Sequence, residues 1–243
     1  MSSRQKTDIT RKPRYDRKDT PHLSELVAAI ERKHDAIKAP LTLTLEGHTL
    51  VVEPGVFNPE FSMMGRLLAQ AIAIGPGATV LDLGTGTGFQ AIVAAKRAGR
   101  VLAVDRQPEA VRCARQNVEM NGLAAMIEVR QSDLFSSIRA GERFDVILFN
   151  VPFPPWKPET PWQEANFDEG HRLLERFIKQ AKGFLHPGGR IGMTWSDIGD
   201  TDYFHALLDA EGFHRRVVVR REIQGVGQYI YELSPKGPSA PGH

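Results

Sequence analysis

Hydrophobic residues in the first quarter of the chain follow two different periods. After Pro21, five apolar residues recur at helical spacing: Leu23, Leu26, Val27, Ile30 and Ile37. This spacing predicts an amphipathic helix that runs from Pro21 to about residue 37 and stops before Pro40. Apolar residues then alternate with threonines over 41–45, and a Glu-Gly-His turn leads to an apolar run at 50–52. That alternation predicts a β-hairpin.

From residue 63 onward, helix patterns and strand patterns alternate along the chain. The predicted helices cover 63–74, 89–98, 108–120, 169–184 and 201–210, and the predicted strands cover 79–83, 101–105, 126–130, 144–149 and 190–195. Continuous apolar strands such as 146–149 are typical of a parallel sheet with both faces covered. Two further β-rich runs, 215–220 and 228–233, predict a closing hairpin. The expected fold is α/β, with a doubly wound, mostly parallel seven-stranded sheet and a terminal antiparallel hairpin.

The same pattern divides the chain into four segments. They are a flexible basic tail at 1–20, an appendage of one helix and one hairpin at 21–60, the main α/β domain at 61–233, and a flexible tail at 234–243. Within the main domain, segment 151–168 shows no periodicity and is predicted to be a long loop.

Composition limits the classes of function. The formal net charge is only +2, so the chain as a whole is not an electrostatic nucleic-acid binder, although residues 1–20 are basic. Cys113 is the single cysteine, which excludes an intramolecular disulfide framework and a cysteine metal cluster. The histidines show no metal-ligand spacing, and no apolar run approaches the ~18 residues of a spanning helix. We expect a soluble, cytoplasmic protein with no metal and no membrane partner.

A glycine-rich turn follows the first strand of the main domain. Strand 79–83 runs into Gly84-Thr85-Gly86-Thr87-Gly88, and a helix begins near Phe89. Glycines permit backbone angles and close approaches that a side chain forbids, and amides at a helix N-terminus can bind a polar ligand. A tight turn without a ligand is the simpler alternative. A dinucleotide fingerprint would need its third glycine at Phe89, which disfavours an NAD-dependent oxidoreductase.

The alternating glycines resemble motif I of the class I methyltransferases, which have a Rossmann-like fold and use S-adenosylmethionine. Asp105 ends the next strand, and the resemblance implies that its carboxylate binds the ribose hydroxyls of this cofactor. Segment 127–134 resembles the family segment in which the residue at Asp133 contacts adenine, although a turn explains it equally well. The cofactor-binding residues implied by the resemblance are Phe57, Asp82, Gly84, Thr85, Gly86, Gly88, Asp105, Arg106, Ser132, Asp133, Leu134 and Asn150.

The predicted strand 144–149 ends in Asn150-Val151-Pro152-Phe153. These four residues resemble the catalytic Asn/Asp-Pro-Pro-Tyr/Phe motif of amino-methyltransferases, which include HemK-like glutamine methyltransferases and adenine amino-group methyltransferases. The resemblance implies that the Asn150 oxygen and the Val151 carbonyl hold the two protons of the acceptor nitrogen, while the Phe153 ring stacks on the planar group. Val151 replaces the proline of the family motif, which keeps the carbonyl but loses the rigidity. An Asn-Pro loop without a function is the alternative.

The loop after this motif carries two tryptophans, Trp156 and Trp162, which we predict to bind the substrate. Anchoring of the loop is an equally good explanation for Trp162. His171, at a helix start, is expected to be an ordinary surface residue.

The favoured prediction is an S-adenosylmethionine-dependent N-methyltransferase that acts on a planar amide or amine nitrogen of a protein glutamine or a small metabolite. The weakly basic catalytic domain disfavours the alternative of a nucleobase acceptor. A non-catalytic cofactor-binding regulator is disfavoured because Asn150 and Phe153 are present.

Overall fold

The computed structural model describes residues 21–237. The predicted tail at 1–20 and residues 238–243 of the predicted C-terminal tail lie outside this range. The helices are α1 (Pro21–Asp35), α2 (Met63–Ala71), α3 (Phe89–Ala95), α4 (Pro108–Met120), α5 (Pro161–Asn166), α6 (Arg172–Ala181) and α7 (Thr201–Ala210). The strands are β1 (Leu41–Leu45), β2 (His48–Val52), β3 (Thr79–Leu83), β4 (Arg100–Asp105), β5 (Ile127–Gln131), β6 (Phe144–Phe149), β7 (Leu185–Ser196), β8 (Phe213–Ile223) and β9 (Val226–Pro235).

Seven of these strands form one sheet in the order β5-β4-β3-β6-β7-β9-β8. Strands β3 to β7 pair in parallel, whereas β9 is antiparallel to both β7 and β8. The prediction of a doubly wound, mostly parallel seven-stranded sheet with a terminal antiparallel hairpin is therefore confirmed. The strand order reverses between β3 and β6, and ligands of open α/β sheets bind at the carboxyl ends of strands at such a switch point.

Helices cover both faces of the sheet, which is why its central strands β3, β4 and β6 are largely apolar and buried. On one face α2 and α3 bury Leu68 and Ile92 against a cluster that includes Ile230 of β9. On the other face α6 and α7 bury Phe177 and Phe204. Complete burial of one such side chain is worth about 1.5–3 kcal/mol relative to exposure, so the two layers hold the sheet rigidly below its ligand-binding edge.

The predicted N-terminal hairpin is present as a separate antiparallel pair, β1 with β2. Asn117 of α4 ties it to the main domain. Its side-chain oxygen accepts a hydrogen bond from the Val51 amide at 2.7 Å. Its side-chain nitrogen donates to the carbonyls of Val51 and Thr87, both at 2.8 Å. One amide side chain thus holds both the hairpin and the glycine turn.

The structure differs from the prediction in three segments. The predicted loop 151–168 contains α5. The predicted helix 169–184 is α-helical only over α6, because Gly170 and His171 have positive φ angles of 63° and 57°. Strand β9 extends to Pro235, so the first residues of the predicted C-terminal tail belong to the sheet.

Candidate active site

The glycine turn between β3 and α3 has the positive φ angles that the sequence analysis expected its glycines to permit. Gly84, Gly86 and Gly88 have φ angles of 63°, 55° and 81°, all in the left-handed region. A Cβ on Gly88 would lie 3.3 Å from Ala114, so this glycine also lets α4 pack closely. A Cβ on Gly86 would meet no atom within 4 Å, because this part of the turn faces an open cavity.

The buried side chain of Asp82 stabilises the glycine turn through hydrogen bonds. Its carboxylate accepts hydrogen bonds from the Thr85 hydroxyl at 2.6 Å and from the Ala91 amide at 3.1 Å. Burial raises the pKa of Asp82 to about 7. The carboxylate therefore links the turn to the first turn of α3.

Asp105 lies at the carboxyl end of β4 and lines the same cavity. Its two carboxylate oxygens each accept one backbone amide hydrogen bond, from Gly86 and from Gln107, both at 3.0 Å. Burial raises its pKa, an effect that these hydrogen bonds oppose. A carboxylate has about four acceptor positions, so Asp105 retains acceptors for a polar ligand in the cavity.

The segment after β5 closes the cavity beside Asp105. The Ser132 hydroxyl donates to the Leu134 carbonyl at 2.8 Å and accepts from the Ser137 amide at 3.0 Å, so it stabilises a local turn. Asp133 accepts a hydrogen bond from Arg176 at 2.7 Å. Ser132, Asp133 and Leu134 all line the cavity.

Asn150 lies at the carboxyl end of β6, on the other side of the switch point. Its side-chain oxygen accepts a hydrogen bond from the buried Thr194 hydroxyl of β7 at 2.8 Å. A Cβ on Gly65 would come within 3.2 Å of the Asn150 side-chain nitrogen, so α2 confines the amide from the opposite side. Sequence reasoning missed Thr194, because a threonine within a strand carries no motif.

The residues after Asn150 are anchored by the backbone around α6. Val151 is buried, and Val151, Pro152 and Phe153 line the cavity. The Asp168 amide donates to the Pro154 carbonyl at 2.9 Å. The Asp168 carboxylate in turn accepts the amides of Leu173 and Leu174, at 2.7 and 2.8 Å, at the start of α6.

Aromatic residues from α1, from segment 57–61 and from α5 form one part of the cavity wall, which we call the roof. The His34 ring lies 4.9 Å from the Phe57 ring, 4.9 Å from the Phe61 ring and 5.3 Å from the Trp162 ring, between ring centres. Burial lowers the pKa of His34 to about 4, so the ring is neutral at pH 7. Phe57, Phe61 and Trp162 line the cavity.

Polar contacts join α1 to α5, the two helices of the roof. The Glu31 carboxylate of α1 accepts hydrogen bonds from the Thr160 hydroxyl at 2.8 Å and from the Gln163 side-chain amide at 2.7 Å. Arg106, at the end of β4, donates to the Glu164 carbonyl of α5. Helices α1 and α5 therefore form a roof that is fastened to the sheet edge.

These elements enclose a cavity of about 540 Å³, within the usual range for small-molecule sites. Most predicted site residues line it: Phe57, Gly84, Thr85, Gly86, Asp105, Arg106, Ser132, Asp133, Leu134, Asn150, Val151, Pro152, Phe153 and Trp162. Asp82, Gly88 and Trp156 are not among the lining residues. Trp156 is instead buried in the apolar cluster under the roof, so the ligand contacts predicted for these three residues are not supported by their positions.

His171 corrects another expectation, because it is fully buried rather than on the surface. Its Nε2 accepts the Asp200 amide at 3.2 Å, and its ring stacks on Tyr203. Burial lowers its pKa to about 4. It therefore packs against Trp195 of β7 and Tyr203 of α7, and it is not among the residues that line the cavity.

Within residues 21–237, no group of three or more His, Cys, Asp or Glu residues is arranged to hold a metal ion. None of the helices in this range is both long enough and apolar enough to cross a membrane.

The sequence matches the family model of the methyltransferase small domain over residues 47–220. A putative protein N5-glutamine methyltransferase of Methanocaldococcus jannaschii is 31% identical over 191 residues, 75% of this chain and 93% of the relative. A release factor glutamine methyltransferase of Koribacter versatilis is 32% identical over 200 residues, 72% of this chain and 70% of the relative.

The fold also resembles solved methyltransferases. A 16S rRNA methyltransferase of T. thermophilus, solved in complex with AdoMet and guanosine, superposes with a TM-score of 0.61 at 20% identity, covering 81% of this chain and 50% of that one. The chain belongs to the methyltransferase small-domain family and is a class I methyltransferase that uses S-adenosylmethionine. The prediction of an S-adenosylmethionine-dependent N-methyltransferase is confirmed as a class by these relatives.

Proposed function

We propose that this enzyme transfers a methyl group to the side-chain amide nitrogen of a glutamine in a protein acceptor. One observation carries the proposal: the Asn150 side-chain oxygen, held by Thr194 at 2.8 Å, lies in the cavity wall beside Val151 and Phe153. The names of the two glutamine methyltransferase relatives support the same acceptor class.

An amide nitrogen is a poor nucleophile because its lone pair is delocalised into the carbonyl. In the proposed mechanism the Asn150 oxygen accepts one N–H of the acceptor and the Val151 carbonyl accepts the other. These bonds favour a pyramidal nitrogen with a localised lone pair. The Thr194 hydroxyl occupies one acceptor position of the Asn150 oxygen and leaves the second for the substrate. The Phe153 ring stacks on the amide and stabilises developing positive charge.

Residues at the other end of the cavity fit the cofactor. The Gly84 and Gly86 backbone permits close approach, and the free acceptor positions of Asp105 suit two ribose hydroxyls. Phe57 and Trp162 would cover the bound molecule from the roof. When bound, S-adenosylmethionine would supply the methyl group and would leave as S-adenosylhomocysteine, while one N–H proton of the acceptor amide would be lost to solvent. The chain's own contribution is to align the acceptor nitrogen and exclude water.

The test is transfer of labelled methyl from S-adenosylmethionine to a defined panel. The panel contains a translational release factor, other glutamine-containing proteins, free glutamine, 16S rRNA and nucleosides. We expect label in protein, released as N5-methylglutamine on digestion. Label in rRNA or in a base-labile ester would contradict the proposal. Because release factors act in translation, the proposal also places the enzyme in the cytoplasm.

A further inference from the structure

Beyond Asn150, the cavity lining continues along α2 and the tip of the β8–β9 hairpin, and we call this part of the lining the mouth. Arg66 of α2 lines this mouth, together with Ile223, Gln224 and Gln228 of the hairpin. Met63, also at the mouth, is 42% exposed. In the sheet order β8 and β9 lie on the other side of β6 from β4, which ends in Asp105, so the mouth is on the proposed acceptor side of the cavity.

Strand pairing assigns the two arginines next to the hairpin tip to opposite faces of the sheet. Arg221 pairs with Gln228, and Arg220 pairs with Tyr229. Directly opposed residues in an antiparallel pair point to the same face, and successive residues alternate. Gln228 lines the cavity, so Arg221 is on the cavity side of the sheet. Arg220 lies over the Tyr229 ring, on the other side, at 5.9 Å.

Two arginines on this side of the site have no ion-pair partner among the described residues. In residues 21–237 neither Arg66 nor Arg221 forms an ion pair, and the buried Nε of Arg66 has no hydrogen-bond partner. Arg215 and Arg216, on the same strand as Arg221, are paired with Asp209 at 2.8 Å and Glu232 at 2.9 Å. Arg221 is not itself a lining residue and one of its nitrogens donates to the Arg220 carbonyl at 2.8 Å, but it lies on the cavity side of the sheet. Arg66 in the lining and Arg221 on the same side therefore favour an anionic ligand.

We propose that the mouth binds carboxylate side chains that flank the target glutamine, so that the preferred acceptor is an acidic polypeptide segment. This inference rests on the proposed glutamine acceptor. The surroundings favour a peptide over a nucleic acid. The mouth residues Met63, Arg66, Ile223, Gln224 and Gln228 include no aromatic ring on which a run of flanking bases could stack, although aromatic residues line the cavity further in. Gln224 and Gln228 provide amides that suit peptide groups.

The experiment compares glutamine peptides that differ only in the residues beside the glutamine: glutamate, serine or lysine. Methyl transfer is measured with the wild-type enzyme, Arg221→Glu and Arg66→Gln. Arg220→Glu is the matched control, because it makes the same charge change one residue away on the opposite face. Binding of the same peptides is followed by fluorescence anisotropy in the presence of S-adenosylhomocysteine, with a single-stranded RNA as a further ligand.

For the wild-type enzyme we expect a kcat/KM preference of about threefold to tenfold for glutamate over lysine flanks, a typical size for partly exposed charge pairs. Arg221→Glu should reverse this preference through KM, Arg66→Gln should reduce it, and Arg220→Glu should leave it unchanged. Added salt should weaken the preference.

Failures of the two proposals are distinguishable. Equal methylation of all three peptides overturns the acidic acceptor but keeps the glutamine activity. If no peptide is methylated, the glutamine proposal fails. The binding measurements then test the acidic-acceptor proposal on their own. Charge-dependent peptide binding that is lost in Arg221→Glu but kept in Arg220→Glu supports an acidic acceptor, whereas tight RNA binding without peptide binding overturns it.

Discussion

At the scale of single residues, the orientation of one amide determines whether the proposed chemistry is available. Asn150 follows β6 and Thr194 lies on β7, and these strands pair in parallel with Phe149 opposite Met193. The hydrogen bond of 2.8 Å between their side chains therefore comes from the strand register rather than from local sequence. Its donor, the Thr194 hydroxyl, is buried and cannot easily be replaced by water.

We predict that Asn150→Ala lowers single-turnover methyl transfer by about 100-fold or more, the size expected when one preorganised polar group is lost from an active site. Asn150→Asp should be milder, because a carboxylate still accepts the proton. Thr194→Val keeps the shape but removes the donor, and should lower the rate by about threefold to tenfold, the effect of one hydrogen bond. Calorimetric affinity for S-adenosylmethionine should barely change in all three variants.

The matched control is Thr79→Val, which removes a threonine hydroxyl at the opposite end of the sheet, where Thr79 donates to Asp145 at 2.8 Å. It should leave the transfer rate unchanged. A wild-type rate in Asn150→Ala with normal cofactor binding would contradict the planar-nitrogen mechanism and point to O- or C-methylation.

The sequence identified candidate residues that line the cavity where the motif is contiguous, and their roles remain predictions. The tetrapeptide at 150–153 and the glycine turn were recognisable because their residue types and spacing are local. Thr194 is 44 positions from Asn150, so only the fold brings them together. Trp156 and Trp162 could not be distinguished either, because their different positions depend on how α1 covers the loop.

At the scale of elements, periodicity predicted the strands and most helices, and it failed at α5. This helix has only six residues, too few for a helical apolar pattern, and it follows a proline-rich stretch. Thr160 caps the helix locally, but its contacts with α1 are made through Glu31, which lies 129 residues before Thr160 and 132 before Gln163. The sequence of segment 151–168 alone does not reveal these contacts with Glu31.

The roof formed by α1 and α5 should control cofactor exchange. Glu31→Ala removes two hydrogen bonds to a carboxylate that is partly exposed, a loss of about 1–2 kcal/mol, and should raise the dissociation rate of S-adenosylhomocysteine by about 5- to 30-fold. Stopped-flow displacement measures this rate. Glu25→Ala on the same helix is the control, since Glu25 pairs only with exposed Arg32 at 2.6 Å within the described chain. Equal dissociation rates in the two variants would show that Glu31 does not fasten the roof.

At the scale of the whole molecule, the cavity is assembled from both ends of the described chain. Val27 of α1 and Gln228 of β9 line the same cavity, with the glycine turn and Asn150 between them. The predicted division into an appendage at 21–60 and a main domain at 61–233 remains a prediction. The lining nevertheless shows that the roof depends on the first of these segments.

Assembly of this site from distant segments also buries titratable groups of opposite type, which should affect stability in opposite directions. Burial lowers the pKa of His34 and His171 to about 4, and it raises that of Asp82 to about 7 and Asp168 to about 6. Between pH 6.5 and 4.5 the unfolded chain takes up protons at the histidines that the folded chain does not, so these lower stability as pH falls. The folded chain binds protons at the carboxyls that the unfolded chain does not, so these raise it.

We therefore predict that removing a buried histidine and removing a buried carboxyl shift the pH dependence of stability in opposite directions relative to wild type. His171→Gln should make the free energy of unfolding rise, relative to wild type, as pH falls from 6.5 to 4.5. Asp168→Asn should make it fall over the same window, each by about 1–3 kcal/mol. Urea unfolding at a series of pH values measures both, and His214→Gln, at an exposed histidine of β8, is the control. The compensation is disproved if His171→Gln and Asp168→Asn shift the pH profile in the same direction, because burial would then not be the cause of either effect.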